Sequence, residues 1–135
     1  MKVTGHCHCG HITYEAEVDP ATIRVCHCTD CQKLTGTAFR AAIASLPGTF
    51  VLKSGTPKIY IKTAETGTRR AHAFCLECGT PTWTAAPGPN PPIYGLRVGG
   101  IDQRPQLAAP ARQIWCRSAL PWSMDLTQVA RFERG

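Results

Sequence analysis

The chain has 135 residues, 43% of them hydrophobic, and a formal charge of +6. That length fits one domain over residues 1–135 with a small core, and the composition is globular, which excludes a disordered chain. No apolar run approaches the ~20 residues of a membrane helix, and Met1-Lys2-Val3-Thr4-Gly5-His6 has no hydrophobic signal segment; the expectation is a cytoplasmic protein without a membrane partner.

Short strands dominate the chain order. Val3–Cys9 and His11–Val18 read as two strands around Gly10, the second alternating apolar and polar residues until Asp19-Pro20 ends it. Ile23-Arg24-Val25 is strand-like. Thr29 or Asp30 is placed to cap a helical turn through Leu34, which Thr35-Gly36 stops. Strands follow at Phe39–Ala44, Thr49–Lys53 and Pro57–Lys62, the last with Ile59 and Ile61 on one face. Thr63–Thr68 is a turn, Arg69–Phe74 a strand, and Pro81–Thr84 its return. The proline-rich stretch Pro87–Pro92 cannot join a sheet ladder and reads as an exposed loop. Ile93–Ile101 is a strand with glycine bulge points, Gln103–Ala111 a loop, and Ile114-Trp115 a last strand; Leu120-Pro121-Trp122 is expected to pack on the body. The fold class is mainly β with little helix.

Eight cysteines mark the chemistry. A reducing compartment and the spacings argue for metal over disulfides. Cys7 and Cys9 stand two apart, which on a strand puts both sulfurs on one side. Cys75-Leu76-Glu77-Cys78-Gly79 is a knuckle whose glycine can take positive φ. Together these pairs make a closed four-thiolate site of the structural zinc type. It would pin together segments about 66 residues apart.

Cys26-His27-Cys28-Thr29-Asp30-Cys31 then keeps three thiols. Three protein ligands with an open position is the catalytic zinc pattern, and a soft, thiolate-rich metal suits a thiol substrate. Alternatives stay open. His27, Asp30 or His72 could close this site, or Cys7 and Cys9 could join Cys26 and Cys28. An unmetallated Cys26–Cys31 cluster could instead oxidise as a redox sensor.

Cys116 reads as a small buried hydrophobe. Trp83, Trp115 and Trp122 read as core. His6, His8 and His11 receive no role. The bases look scattered, with Arg69-Arg70 the one adjacent pair. Arg69, Arg70 and Lys33 are candidate anion contacts, each alone more like solvated surface. Seven metal-bound thiolates and two zinc ions would lower the net charge to about +3. A nucleic-acid partner needs a basic stripe and is not expected; a mild attraction for a small anion remains.

Gly5-His6-Cys7-His8-Cys9-Gly10 with Ile12 and Tyr14, Cys26-His27-Cys28-Thr29-Asp30-Cys31-Gln32-Lys33 with Thr35-Gly36, and Phe74-Cys75-Leu76-Glu77-Cys78-Gly79 resemble the glutathione-dependent formaldehyde-activating enzyme family, the CENP-V/GFA domain family. Leu46-Pro47-Gly48 and Leu120-Pro121-Trp122 are similar too. The resemblance implies an Mss4-like, mostly antiparallel β fold. It implies a structural zinc on Cys7, Cys9, Cys75 and Cys78 and a catalytic zinc on Cys26, Cys28 and Cys31. It also implies a carbon–sulfur lyase-type reaction on a thiol–aldehyde adduct, glutathione and formaldehyde being the namesake pair. The other reading is a non-catalytic, zinc-binding protein-interaction module on the same fold, with both sites structural.

Overall fold

The computed structural model describes residues 1–135. Its strands are β1 (Lys2–His6), β2 (Thr13–Glu17), β3 (Arg24–Cys26), β4 (Arg40–Ala44), β5 (Val51–Ser54), β6 (Lys58–Thr63), β7 (Arg69–Phe74), β8 (Pro81–Ala85), β9 (Tyr94–Arg97) and β10 (Arg112–Ile114). One helix, α1 (Thr29–Thr35), follows β3. The strands form a three-stranded sheet in the order β1-β2-β5 and a seven-stranded sheet in the order β10-β3-β4-β9-β8-β7-β6. Every pairing is antiparallel except β10 with β3. The fold is mainly β, as an Mss4-like architecture requires.

Alternation builds the core. Val3 and Gly5 on β1, and Tyr14 and Ala16 on β2, are buried while their neighbours are not. In the large sheet, residues directly opposite one another share a face. Ala73, Trp83, Leu96 and Ile43 follow one another across β7, β8, β9 and β4 and face the small sheet. Phe50 stacks on Tyr94 at 3.9 Å between ring centres and reaches Trp83 at 4.8 Å. Burying a side chain such as Leu96 or Ile43 contributes roughly 1.5–3 kcal/mol. Isolated bridges from Gly5 to Ile101 and from Val18 to Ser45 tie the sheets together.

The opposite face of the large sheet is polar. Its cross-strand neighbours are Lys62 and Arg70, Tyr60 and His72, His72 and Thr84, Ala42 and Arg97, and Cys26 and Arg40. The interior strand β8 is buried on both faces, so the polar face is covered where it crosses that strand.

Several local expectations are corrected. Cys7–Cys9 lies on the turn after β1 and not on a strand, because the hairpin closes there through the Gly10 N–H to the Cys7 carbonyl. The helix is capped by Cys28, neither by Thr29 nor by Asp30: the Cys28 sulfur accepts the Cys31 N–H at 3.3 Å. Gly36 ends it at φ 67°. The strand expected over Ile93–Ile101 stops at Arg97, where Val98–Gly100 winds into a 3-10 turn. Trp115 is not in a strand or the core; it sits half-exposed at φ 59°, directly after β10. Cys116 is exposed, since the chain has already left the sheet. Leu120 and Trp122 do not pack on the body; Trp122 is 60% exposed, in a stretch no strand pairs with. No helix is long and apolar enough to cross a membrane.

Candidate metal centres

Cys7, Cys9, Cys75 and Cys78 come together, with all four sulfurs within 4.8 Å of one another. Two hairpin tips of the same construction deliver them. In each, the first cysteine donates its N–H five residues ahead, Cys7 to Ile12 and Cys75 to Thr80, both at 3.0 Å. In each a glycine takes the left-handed turn position, Gly10 at φ 78° and Gly79 at φ 74°. The Cys7 and Cys9 sulfurs are 3.6 Å apart, and those of Cys9 and Cys75 3.8 Å. A tetrahedral zinc with Zn–S bonds near 2.3 Å sets its sulfurs about 3.8 Å apart, so the donor set fits that ion.

Thr80 joins the two tips. It accepts the His8 N–H at 3.0 Å, and its hydroxyl lies 3.1 Å from the Cys78 sulfur. This contact leads the shift that holds the Cys78 thiol near pKa 5, on the side of the thiolate a metal needs. The Ile12 N–H likewise reaches the Cys7 sulfur at 3.2 Å. The sequence offers no signal for Thr80 beyond its place two residues after Cys78.

Cys26, Cys28 and Cys31 form a second cluster, again within 4.8 Å and with no His, Asp or Glu donor among them. Cys26 ends β3, Cys28 caps α1, and Cys31 is in its first turn. The Cys31 thiol, hydrogen-bonded to Cys26, draws the Cys26 pKa down to about 5 against its burial; Cys31 is pushed up by the same contact. One sulfur of the pair therefore ionises well before the other. All eight cysteines are free thiols.

None of the residues considered as a fourth ligand joins the cluster, and each has a polar contact elsewhere. His27 points its Nε2 at Gln113 Oε1, 2.7 Å away, and its ring packs edge-on against Phe39. Asp30 pairs with Lys62 at 2.7 Å. His72 Nδ1 accepts from Arg97 at 3.2 Å. Nor do Cys7 and Cys9 approach Cys26 and Cys28, which fall in the other cluster. The cluster's backbone is anchored by the His27 N–H to Ile114 and by Gln32, which donates to the carbonyls of His27 and Ser118.

A cleft of about 260 Å³ opens over this cluster, lined by Cys26, Cys28, Cys31, Arg24, Arg40, Arg70 and His72 among others. A neighbouring lobe of about 320 Å³ shares Cys28, Lys62 and Trp115 with it and adds Asp30, Glu65 and Arg117. Bases scattered along the sequence are thus gathered in space. Burial and mutual repulsion lower the pKa of Arg24 and Arg70, while burial first and Arg40 second lower Arg97 to about 10. His72, buried beside Arg97 and Arg40, is pushed down to about 4 and is neutral at pH 7. With Nδ1 accepting from Arg97, the proton sits on Nε2, which is buried and has no protein partner. Lys33 and Arg69 lie exposed, outside the cleft lining.

The sequence model described as "Glutathione-dependent formaldehyde-activating enzyme" matches residues 2–118. The chain belongs to that family. Among solved structures it is similar to a Rhodobacter sphaeroides protein, a structural genomics target, at 28% identity and a TM-score of 0.57. That similarity covers 79% of this chain and 97% of the other. The family match ends at Ser118, and all seven clustered cysteines fall inside it.

Proposed function

We propose that the chain is a zinc-dependent carbon–sulfur lyase-type enzyme acting on a thiol–aldehyde adduct, with glutathione as the candidate thiol. Cys7, Cys9, Cys75 and Cys78 hold a structural zinc, and Cys26, Cys28 and Cys31 the catalytic one. The observation that carries this reading is a cluster of three sulfurs, and only three, at the floor of a cleft. A zinc bound there supplies Lewis acidity and lowers the pKa of a substrate thiol.

The chain's own residues do the rest. Cys28, the cap of α1, stands where the two lobes meet, so a substrate sulfur beside it has one lobe on each side. Their combined size suits a molecule of peptide-fragment dimensions such as glutathione. Trp115 walls both lobes and is braced by the Arg117 guanidinium 4.9 Å from its ring centre. The His72 Nε2–H is a neutral donor for the aldehyde oxygen as it gains charge on sulfur addition. Arg97 fixes that tautomer. In the reverse direction the carbon–sulfur bond breaks with its electron pair returning to the sulfur, and the hydroxyl proton leaves to solvent as the carbonyl forms.

Calorimetric titration of glutathione into the zinc-loaded protein tests the reading, with Cys28→Ala as control. Binding to the parent and at least tenfold weaker binding to Cys28→Ala is the expected result. Absence of binding to both proteins would refute it.

A further inference from the structure

Three arginines in the cleft have no acid to answer them. Arg24, Arg40 and Arg70 line it beside the three cysteines. Arg40 stands directly across from Cys26 in the β3–β4 pairing, and Arg24 lies two residues before Cys26 on the same strand. None of the three enters any of the protein's four ion pairs. The Nε atoms of Arg24 and Arg40 are buried without a partner. The two acids in the lining of either lobe, Asp30 and Glu65, are taken by Lys62 and Arg117.

Burying like charges together without a counter-charge costs free energy, so the cluster answers to something negative. The metal centre accounts for part of it. Zinc on three thiolates carries one net negative charge, and a substrate thiolate adds a second. Three arginines exceed that by one charge. A sulfur is also a poor match for a guanidinium, whose fork fits a planar pair of oxygens.

We infer that the arginine lobe is a carboxylate-recognition site, so that the substrate carries an acid group within one side chain's reach of its reacting sulfur, held by Arg24, Arg40 and Arg70. This rests on the reading of Cys26, Cys28 and Cys31 as a thiol site. Either half of the adduct can bring the acid: an aldehyde of the 2-oxo-carboxylate class, or a carboxylate on the thiol itself.

The test compares 3-mercaptopropionate with 3-mercaptopropan-1-ol, which differ only by the acid, and with propionate, which has no thiol. Each is titrated calorimetrically into the zinc-loaded protein and its Arg24→Gln and Arg70→Gln variants. A parallel arm compares bound thiohemiacetal formed from glyoxylate and from acetaldehyde by NMR. The acid-bearing partner in at least one arm binds about 10- to 100-fold tighter than its neutral twin, the value of a charge-assisted hydrogen bond. That ratio falls toward one in both variants, while 3-mercaptopropan-1-ol binds all three proteins alike. The arm showing the preference names the half that carries the acid. Arginine-dependent binding of propionate with neither thiol bound sustains the carboxylate site and overturns the thiol reading instead. A ratio near one in both arms, or a preference that survives both substitutions, overturns the inference.

Discussion

The two cysteine clusters use the same ligand chemistry and are built in opposite ways. The four-cysteine cluster joins two hairpin tips, 66 residues apart between Cys9 and Cys75, and Thr80 locks them to each other. The three-cysteine cluster comes from one six-residue segment, so it closes almost no loop; its surroundings are a cleft lined by three arginines and a neutral histidine. Ligands drawn from distant segments make metal binding a folding event. Ligands drawn from one segment leave the fold standing when the metal goes. On the proposed reading the first cluster would hold the chain together and the second would be free to exchange a ligand.

The largest effect should break that contrast if it is wrong. Cys75→Ser is expected to abolish cooperative folding or lower Tm by more than ~10 °C, since a structural zinc contributes many kcal/mol. Cys31→Ser should leave Tm within a few degrees while emptying one metal site, as read by metal analysis and a thermal melt. Equal losses from both would erase the distinction.

Chelator competition sharpens it. A moderate chelator should strip one zinc equivalent from the three-cysteine site with the far-ultraviolet circular dichroism unchanged. The second equivalent should leave only with unfolding. Release of both together would contradict the account.

A smaller effect tests Thr80. Thr80→Val removes the hydroxyl beside the Cys78 sulfur and the acceptor for the His8 N–H. Affinity for the tighter-bound zinc should fall about 10- to 100-fold, measured by competition with an indicator. The other site should be unmoved.

The smallest effect is a pH dependence. The folded pKa of His72, near 4, lies below the ordinary 6.5. The unfolded chain therefore takes up that proton first. The associated stability is full above about pH 6.5 and is lost as pH falls toward about 4. His72→Gln should flatten this part of the melting profile at saturating zinc, an effect on the order of 1–3 kcal/mol. An unchanged slope would mean His72 is not held neutral.

Much of the strand order was legible because the small sheet alternates cleanly, as in Thr13–Glu17, and because glycine and proline mark the turns. The division of the cysteines into four and three was legible from spacing. What the sequence hid was whatever depends on cross-strand register. Arg24, Arg40 and Arg70 are far apart in the chain, and only the run of pairings from β3 through β4, β9 and β8 to β7 sets them on one face. His72 read as a candidate ligand because nothing local reveals that Arg97, on β9, occupies its Nδ1. Cys28 as a helix cap was missed because sulfur is seldom weighed beside Ser, Thr, Asp and Asn. Cys116 and Trp122 were misjudged because their residue types suggest burial, while the chain after Ile114 has no further strand to pack against.

The central claim is that the second centre has three protein ligands and takes its fourth from a thiol. A crystal structure of the zinc-loaded protein with glutathione, with anomalous maps at the zinc edge, tests it most directly. The account predicts two zinc ions, one on Cys7, Cys9, Cys75 and Cys78, the other on Cys26, Cys28 and Cys31 with the glutathione sulfur completing a tetrahedron. A second zinc closed by His27, Asp30 or His72, with glutathione elsewhere or absent, would contradict it.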